Sequence, residues 1–309
     1  MIISKQFKEL KISSSKITRP ALLYFGGKNK IRNWILSNFP PHITYVEPFL
    51  GAGSILLSKE RSWQEVGNDI NGDIVNYFRV LRDFPLRLVR KIKYTPYSEE
   101  ILNEAFHNLK TERDPVFRAY YFYVVCWMNM AFNFVSKKGA NFRRKGNLDG
   151  TGNHRPALQF RSLETLFAIS ERLRGVHFIQ RDAEEVIRIY DAPGTLFYVD
   201  MPYLKDTRNS KILYNSEFNT KEDHIRILSL LTKIKGMAII SHYRNLVYDQ
   251  ILKGWKKEEK ETIANSIHRG EGKKKSKRTE VIYISPRPRK APLIPLDYRK
   301  PKIRKFNVT

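Results

Sequence analysis

The sequence predicts an α/β protein built on a mostly parallel sheet, and three observations predict it. Short apolar runs recur along the chain and several end at an acidic residue. Helix-periodic segments lie between these runs, the alternation expected of a parallel sheet with crossover helices. Between about residues 84 and 165 that alternation stops, which marks an inserted subdomain of mainly helical character.

Taken in order, the first strand is "ITYVEP" (43–48), preceded by a helical pattern at Ile31, Trp34, Ile35 and Phe39. A Gly-rich turn at Gly51 and Gly53 follows it. Glycines there let the backbone approach a ligand closely, and a helix start would offer free amides. A structural tight turn explains Gly-x-Gly equally well at this point. The next strand, "EVGND" (65–69), ends at Asp69, 18 residues beyond Gly51, close to the spacing of about 20 at which an acidic residue takes ribose hydroxyls. A P-loop is excluded because no Gly-Lys-Ser/Thr follows, and the full Gly-x-Gly-x-x-Gly of a dinucleotide site is missing. Ile74, Tyr77, Phe78 and Leu81 then repeat with helical spacing.

The insertion carries "SEEILNEAFHNL" and "DPVFRAYYFYVVCWMNMAF", both helix-like, and then a polar loop, "SKKGANFRRKGNLDGTGNHRP". The aromatic cluster at 117–127 is expected to be core. Strands resume with "VHFIQRD" (176–182), "LFYVD" (196–200), "MAIIS" (237–241) and "TEVIYIS" (279–285), and a Pro-rich basic tail ends the chain. The chain thus divides at 1–83, 84–165, 166–286 and 287–309.

In an open parallel sheet ligands bind outside the carboxyl ends of the strands, so the acidic strand ends share one edge. In "LFYVDMPY", Asp200 is followed by Pro202, which fixes a turn, and Tyr203, which offers a flat face. Together they suit a planar amine-bearing base, held by hydrogen bonding and stacking. A surface turn with a packed tyrosine is the alternative.

Composition narrows the partner. Fifty-six Lys and Arg against 31 Asp and Glu leave a formal charge of +25, which favours a polyanion, with nucleic acid first. "KKGANFRRKGN" sets five cations, Lys137, Lys138, Arg143, Arg144 and Lys145, within nine residues, and with Asn141 it reads as a DNA-contacting hairpin. A second basic run, "HRGEGKKKSKR" (268–278), reads equally as a DNA contact or a solvated loop. The single Cys126 excludes an intrachain disulfide, and the seven histidines show no metal-ligand spacing, so no metal is assigned. No stretch reaches a membrane span and no signal peptide is evident, so the protein reads as intracellular.

These segments, in this order, resemble the Dam-type DNA adenine-N-methyltransferases of phages and prokaryotes. "LLYFGGKNKI" (22–31) resembles their N-terminal cofactor motif, "EPFLGAGS" (47–54) their Gly-rich motif, "NDING" (68–72) the acidic ribose-binding motif and "RDAEEVI" (181–187) the segment that contacts the cofactor's adenine. "DMPYLKDTR" (200–208) is similar to their catalytic Asp-Pro-Pro-Tyr motif, and "YNSEFNTKEDHIRILSLL" and "KRTEVIYIS" to flanking segments. The resemblance runs from about residue 20 to 286. It implies S-adenosylmethionine as cofactor, double-stranded DNA as partner, the cytoplasm of a prokaryotic or virus-infected cell as setting, and a Rossmann-like seven-stranded methyltransferase sheet whose insertion recognises the target; the oligomeric state is left open, with a monomer favoured.

By the same resemblance, Lys28 and Glu47 would hold the methionine part of the cofactor, with Phe49, Gly51 and Gly53 lining it. Asp69 would take the ribose and Asp182 the adenine amine, with Tyr24, Gly27, Ile70 and Ala183 beside them. Asp200, Met201, Pro202 and Tyr203 would face the substrate base. Methionine at 201 departs from the family's proline: the carbonyl is kept but the locked φ is lost. Two outcomes follow, an active adenine methyltransferase or a DNA-binding relative in which transfer is impaired.

Overall fold

The computed structural model describes residues 17, 20–24, 27–130, 141–143, 156–203, 220–263 and 277–286. The basic tail, most of the 268–278 run, and Lys137, Lys138, Arg144 and Lys145 lie outside them. The described residues form two compact units.

One unit holds a mixed seven-stranded sheet. Its strands are β1 (Thr44–Glu47), β2 (Gln64–Asn68), β3 (Val176–Ile179), β4 (Thr195–Val199), β5 (Met237–Tyr243), β6 (Lys256–Ile263) and β7 (Lys277–Ile284), in the order β3-β2-β1-β4-β5-β7-β6. The first five are parallel, and β7 inserts antiparallel between β5 and β6. From β1 the chain lays β2 and β3 to one side, while β4 and β5 lie to the other. That reversal makes the carboxyl ends of β1 and β4 the topological switch point, the place where open α/β sheets bind ligands.

Six strands coincide with apolar runs legible in the sequence. The seventh, β6, reads Lys-Lys-Glu-Glu-Lys-Glu-Thr-Ile and has no apolar run. It is an edge strand, where charge blocks pairing with another chain, so the hydrophobic signal is absent for a physical reason.

One face of this sheet buries Val46, Val66, Phe197, Val199, Ala238 and Ile240 against helices Ala183–Tyr190, Lys221–Leu231 and Leu246–Ile251. Each helix starts on a side-chain cap. Asp182 accepts from the Glu184 amide, Thr220 and Asp223 form a reciprocal capping box, and Asn245 accepts from Val247. Such caps stabilise a helix start by about 1 kcal/mol each.

The other unit is helical. Its centre is the helix Pro115–Met128, apolar around nearly its whole circumference and packed against Gly72–Asp83, Pro85–Lys93 and Glu99–Asn108. Asp114 caps it through the Val116 and Phe117 amides. The aromatic cluster is core, and its tyrosine hydroxyls have partners: Tyr120 with Thr95, Tyr121 with Asn108, and Tyr123 donating to the Phe160 carbonyl. This unit extends beyond the expected 84–165, taking in 51–59 and 71–174. Among the described residues no helix is long and apolar enough to cross a membrane.

Candidate functional site

At the carboxyl edge of the sheet, β1 ends on Glu47, which is only 2% exposed. A buried carboxylate is costly without hydrogen bonds. Tyr45, two residues earlier and therefore on the same strand face, donates its hydroxyl to Glu47 Oε1 at 2.6 Å. Burial, and then the neighbouring Glu47 charge, push the Tyr45 phenol well above its ordinary range, so it stays a donor.

The adjacent strand β4 ends with the same pattern shifted to Tyr198, Val199 and Asp200. Here the two acids differ in setting, for Asp200 is half-buried. The Ser241 hydroxyl on β5 donates to Asp200 Oδ1 at 2.9 Å, and Tyr198 lies 3.0 Å from the same serine oxygen. Burial and the Asp200 charge hold the Tyr198 phenol well above its usual value.

Beyond Asp200 strand β4 has ended. Phe197, Val199 and Met201 alternate onto one face and share the core beneath the sheet, and the Met201 side chain is 1% exposed. Of the four residues of the motif, Met201 therefore faces away from solvent and contributes to the edge through its main chain. Tyr203 is half-buried, with its hydroxyl donating to Glu280 Oε2 on β7 at 3.0 Å. Its ring centre lies 4.6 Å from that of His242 and 4.5 Å from that of Tyr243, the latter edge-on. Burial, Asp200 and Glu280 together raise the Tyr203 phenol well above its ordinary value.

On the other side of β1, Asn68 ties three strand ends together. It is fully buried at the end of β2, donates to the carbonyls of Pro48 and Arg181 at 2.9 and 3.0 Å, and accepts from the Arg181 amide at 2.9 Å. This clamp fixes the main chain next to Asp69 and Asp182. Asp69 is half-buried, Ile70 is exposed, and Phe49 packs on the sheet core. Asp182 spends one oxygen on its helix cap, and Ala183 is buried in the core.

In the helical unit, Gly51 and Gly53 have φ of 51° and 63°, the left-handed region that favours glycine. A Cβ on Gly51 would lie 3.9 Å from the Tyr24 ring, and one on Gly27 3.7 Å from the Tyr24 carbonyl and 3.9 Å from the Ser54 hydroxyl. Tyr24, Gly27, Gly51 and Ser54 are thus gathered there, with the Ser54 hydroxyl buried and unpartnered among the described residues. Lys28 is buried in the same unit.

The described parts of the expected hairpin form a stem. Asn129 bridges Phe142 in antiparallel fashion, the Met130 amide donates to the Asn141 carbonyl, and the Arg143 amide donates to the Met128 carbonyl, both at 2.7 Å. Phe142 packs at a tilt against Tyr97, whose hydroxyl donates to the Arg143 carbonyl. Among the described residues no cluster of His, Cys, Asp or Glu is placed to hold a metal ion.

Sequence reading singled out the carboxylates of this edge but missed Tyr45, Asn68, Tyr198, Ser241 and Glu280. The two tyrosines were open to it, since each sits two residues before an acid on the same strand face. The other three act across 77 residues or more of chain in two cases and 41 in the third, and only the sheet register brings them in.

Comparison with known proteins agrees with this geometry. The model of the family described as D12 class N6 adenine-specific DNA methyltransferase matches residues 24–273. The chain is similar to the DNA adenine methylase of Serratia marcescens, 25% identical over 66% of this chain and 74% of that one. It is also 24% identical to the DNA adenine methylase of Vibrio cholerae, over 73% and 81% of the two chains, and 24% to that of Escherichia coli K12, over 67% and 73%. A match spanning β1 to β6, on a sheet whose switch point presents a tyrosine-backed aspartate, shows that the chain belongs to the D12 class of N6 adenine-specific DNA methyltransferases.

Proposed function

We propose that this adenine methyltransferase acts on an adenine turned out of duplex DNA, with S-adenosylmethionine as the methyl donor and Asp200 and the Met201 carbonyl gripping the exocyclic amine. The observation that carries the reading is Asp200 itself, half-buried at the sheet's switch point and anchored by one oxygen to Ser241.

The residues fit the cofactor. Glu47 offers a buried carboxylate for an ammonium group, Asp69 an accessible one for a ribose diol, and Gly51 and Gly53 a backbone turn without side chains. Tyr24, Gly27, Lys28, Phe49, Ile70, Asp182 and Ala183 are proposed as further binding residues on the family resemblance. Bound S-adenosylmethionine supplies an activated methyl group on a cationic sulfur.

The adenine amine is a poor nucleophile because its lone pair is delocalised into the ring. Asp200 accepts a hydrogen bond from one N–H and the Met201 carbonyl from the other. Both acceptors favour a pyramidal nitrogen whose lone pair leaves the ring plane. Pro202 fixes the turn that aims this carbonyl. Tyr203 stacks on the extruded base, and its bond to Glu280 sets the orientation of the ring. Stacking of about 1–3 kcal/mol offsets part of the few kcal/mol that unstacking costs.

Asn141, Arg143 and the cations Lys137, Lys138, Arg144 and Lys145 are proposed to meet DNA at the hairpin, with target recognition assigned to the 84–165 segment. The protein is proposed to work as a monomer in a cytoplasm, a setting that suits its buried Cys126 thiol. Incubation with methyl-labelled S-adenosylmethionine and unmethylated duplex DNA is expected to yield N6-methyladenine, and sequencing the product reads the target. Cofactor binding without label in DNA of any sequence would overturn the reading and leave a DNA-binding protein that does not transfer.

A further inference from the structure

We propose that Ser241 and Tyr198 are positioning residues, forming a one-way chain of hydroxyl hydrogen bonds that holds the Asp200 carboxylate in a single orientation toward the adenine amine. The inference rests on the methyl-transfer reading above and names what makes its central residue competent.

Direction follows from proton accounting. A serine hydroxyl has one proton and two acceptor lone pairs. Asp200 accepts at Oδ1 over 2.9 Å, so the Ser241 proton is committed there. The 3.0 Å contact between Tyr198 and Ser241 must then run from the phenol to the serine oxygen. Tyr198 is buried, and burial together with the Asp200 charge keeps its phenol protonated. The order Tyr198 O–H, Ser241 O–H, Asp200 is therefore the only one open to this trio, and hydrogen bonds in such a chain polarise one another.

The sheet register builds it. Tyr198 pairs with Ile239 on β5, so Ser241 sits two residues further along the same face, level with Asp200. Ser241 is itself 1% exposed in the middle of a strand. A buried serine there offers little apolar area, and its hydroxyl has its described partners in Tyr198 and Asp200. Carboxylates rotate about their terminal bond with little restraint. A donor fixed to a neighbouring strand removes that freedom at the atom where a misplacement of 1 Å would cost about 100-fold in rate.

Ser241→Ala is expected to lower kcat about 10- to 100-fold, the range for losing a hydrogen bond to a charged group, with cofactor Kd changed less than about twofold. Ser241→Thr keeps the hydroxyl and is expected to recover most of that loss. Tyr198→Phe is expected to lower kcat less, and the double variant Tyr198→Phe/Ser241→Ala no further than Ser241→Ala alone, because Tyr198 acts through the serine. A high-resolution structure of Ser241→Ala, read independently of turnover, is expected to show Asp200 rotated or in two conformers. An unmoved, singly ordered carboxylate overturns the proposal, as does a Ser241→Ala kcat within twofold of the parent, or a loss that follows cofactor affinity. A parent protein that methylates no DNA would sink the transfer reading instead, and the Asp200 conformer would still judge the relay.

Discussion

Two neighbouring strands end almost identically in sequence, β1 on Tyr-Val-Glu and β4 on Tyr-Val-Asp, yet the two acids are held differently. At β1 the tyrosine bonds the acid directly and both are buried. At β4 the side chain is one carbon shorter, a serine from the next strand completes the link, and the acid stays half-buried. A directly tied, buried carboxylate suits a standing charge on a bound molecule. An acid held at one oxygen and still reachable suits a group that must engage a substrate arriving from solution. The difference matches the proposed roles, retention of the cofactor at one strand end and reaction at its neighbour.

The largest effect should separate the two ends. Asp200→Ala is expected to lower methyl transfer on the order of 10³-fold while cofactor affinity stays within about twofold. Glu47→Gln, which keeps an acceptor for Tyr45, is expected to do the reverse, weakening cofactor binding by about 10- to 100-fold in calorimetry with a smaller change in kcat at saturation. If both variants fail in the same measurement, the division of labour is broken.

A middle-sized effect concerns the residue that follows Asp200. Met201→Pro restores the family's residue but empties part of a buried site, so thermal unfolding is expected to show a loss of about 1–3 kcal/mol. Its rate is expected to stay within about threefold. A large gain in rate would mean that the Met201 carbonyl is poorly aimed in the natural protein, and would shift the contrast from the acids to that residue.

The smallest effect is on the alkaline side. Tyr45 and Tyr198 both titrate well above their unfolded value of about 10, so the folded state keeps protons that the unfolded chain releases. Their contribution is complete below pH 10 and is lost as pH rises beyond it. Tyr45→Phe and Tyr198→Phe should each flatten that decline in denaturant-monitored stability. A flattening in only one would show that only one phenol is kept protonated by its buried setting.

Much of this was open to sequence reading, and the exceptions have physical causes. An apolar run stopped by a carboxylate located both strand ends, because a buried parallel strand leaves its polar chemistry at its tip. The Met201 side chain was equally legible in principle: Phe197, Val199 and Met201 continue one alternation, so the residue after the aspartate belongs to the core. Its place in a motif drew attention to its carbonyl alone. Ser241 and Glu280 were hidden, since nothing local marks a serine or glutamate in a strand as the partner of a residue 41 or 77 positions away. β6 was hidden because an edge strand can be charged on every exposed position and still pair through its backbone.

The strand order also sets a timetable for synthesis. β7 separates β5 from β6 but follows both in the chain, so the flank of β5 has no strand to pair with until residues near 284 have emerged. Ribosomes add about 5–20 residues per second, and the 41 residues from Tyr243 to Ile284 therefore represent about 2–8 seconds. During that interval an apolar strand edge is open to wrong pairing, and Tyr203 has yet to meet Glu280. The bond from Tyr203 to Glu280 is therefore among the last contacts of this sheet edge to form.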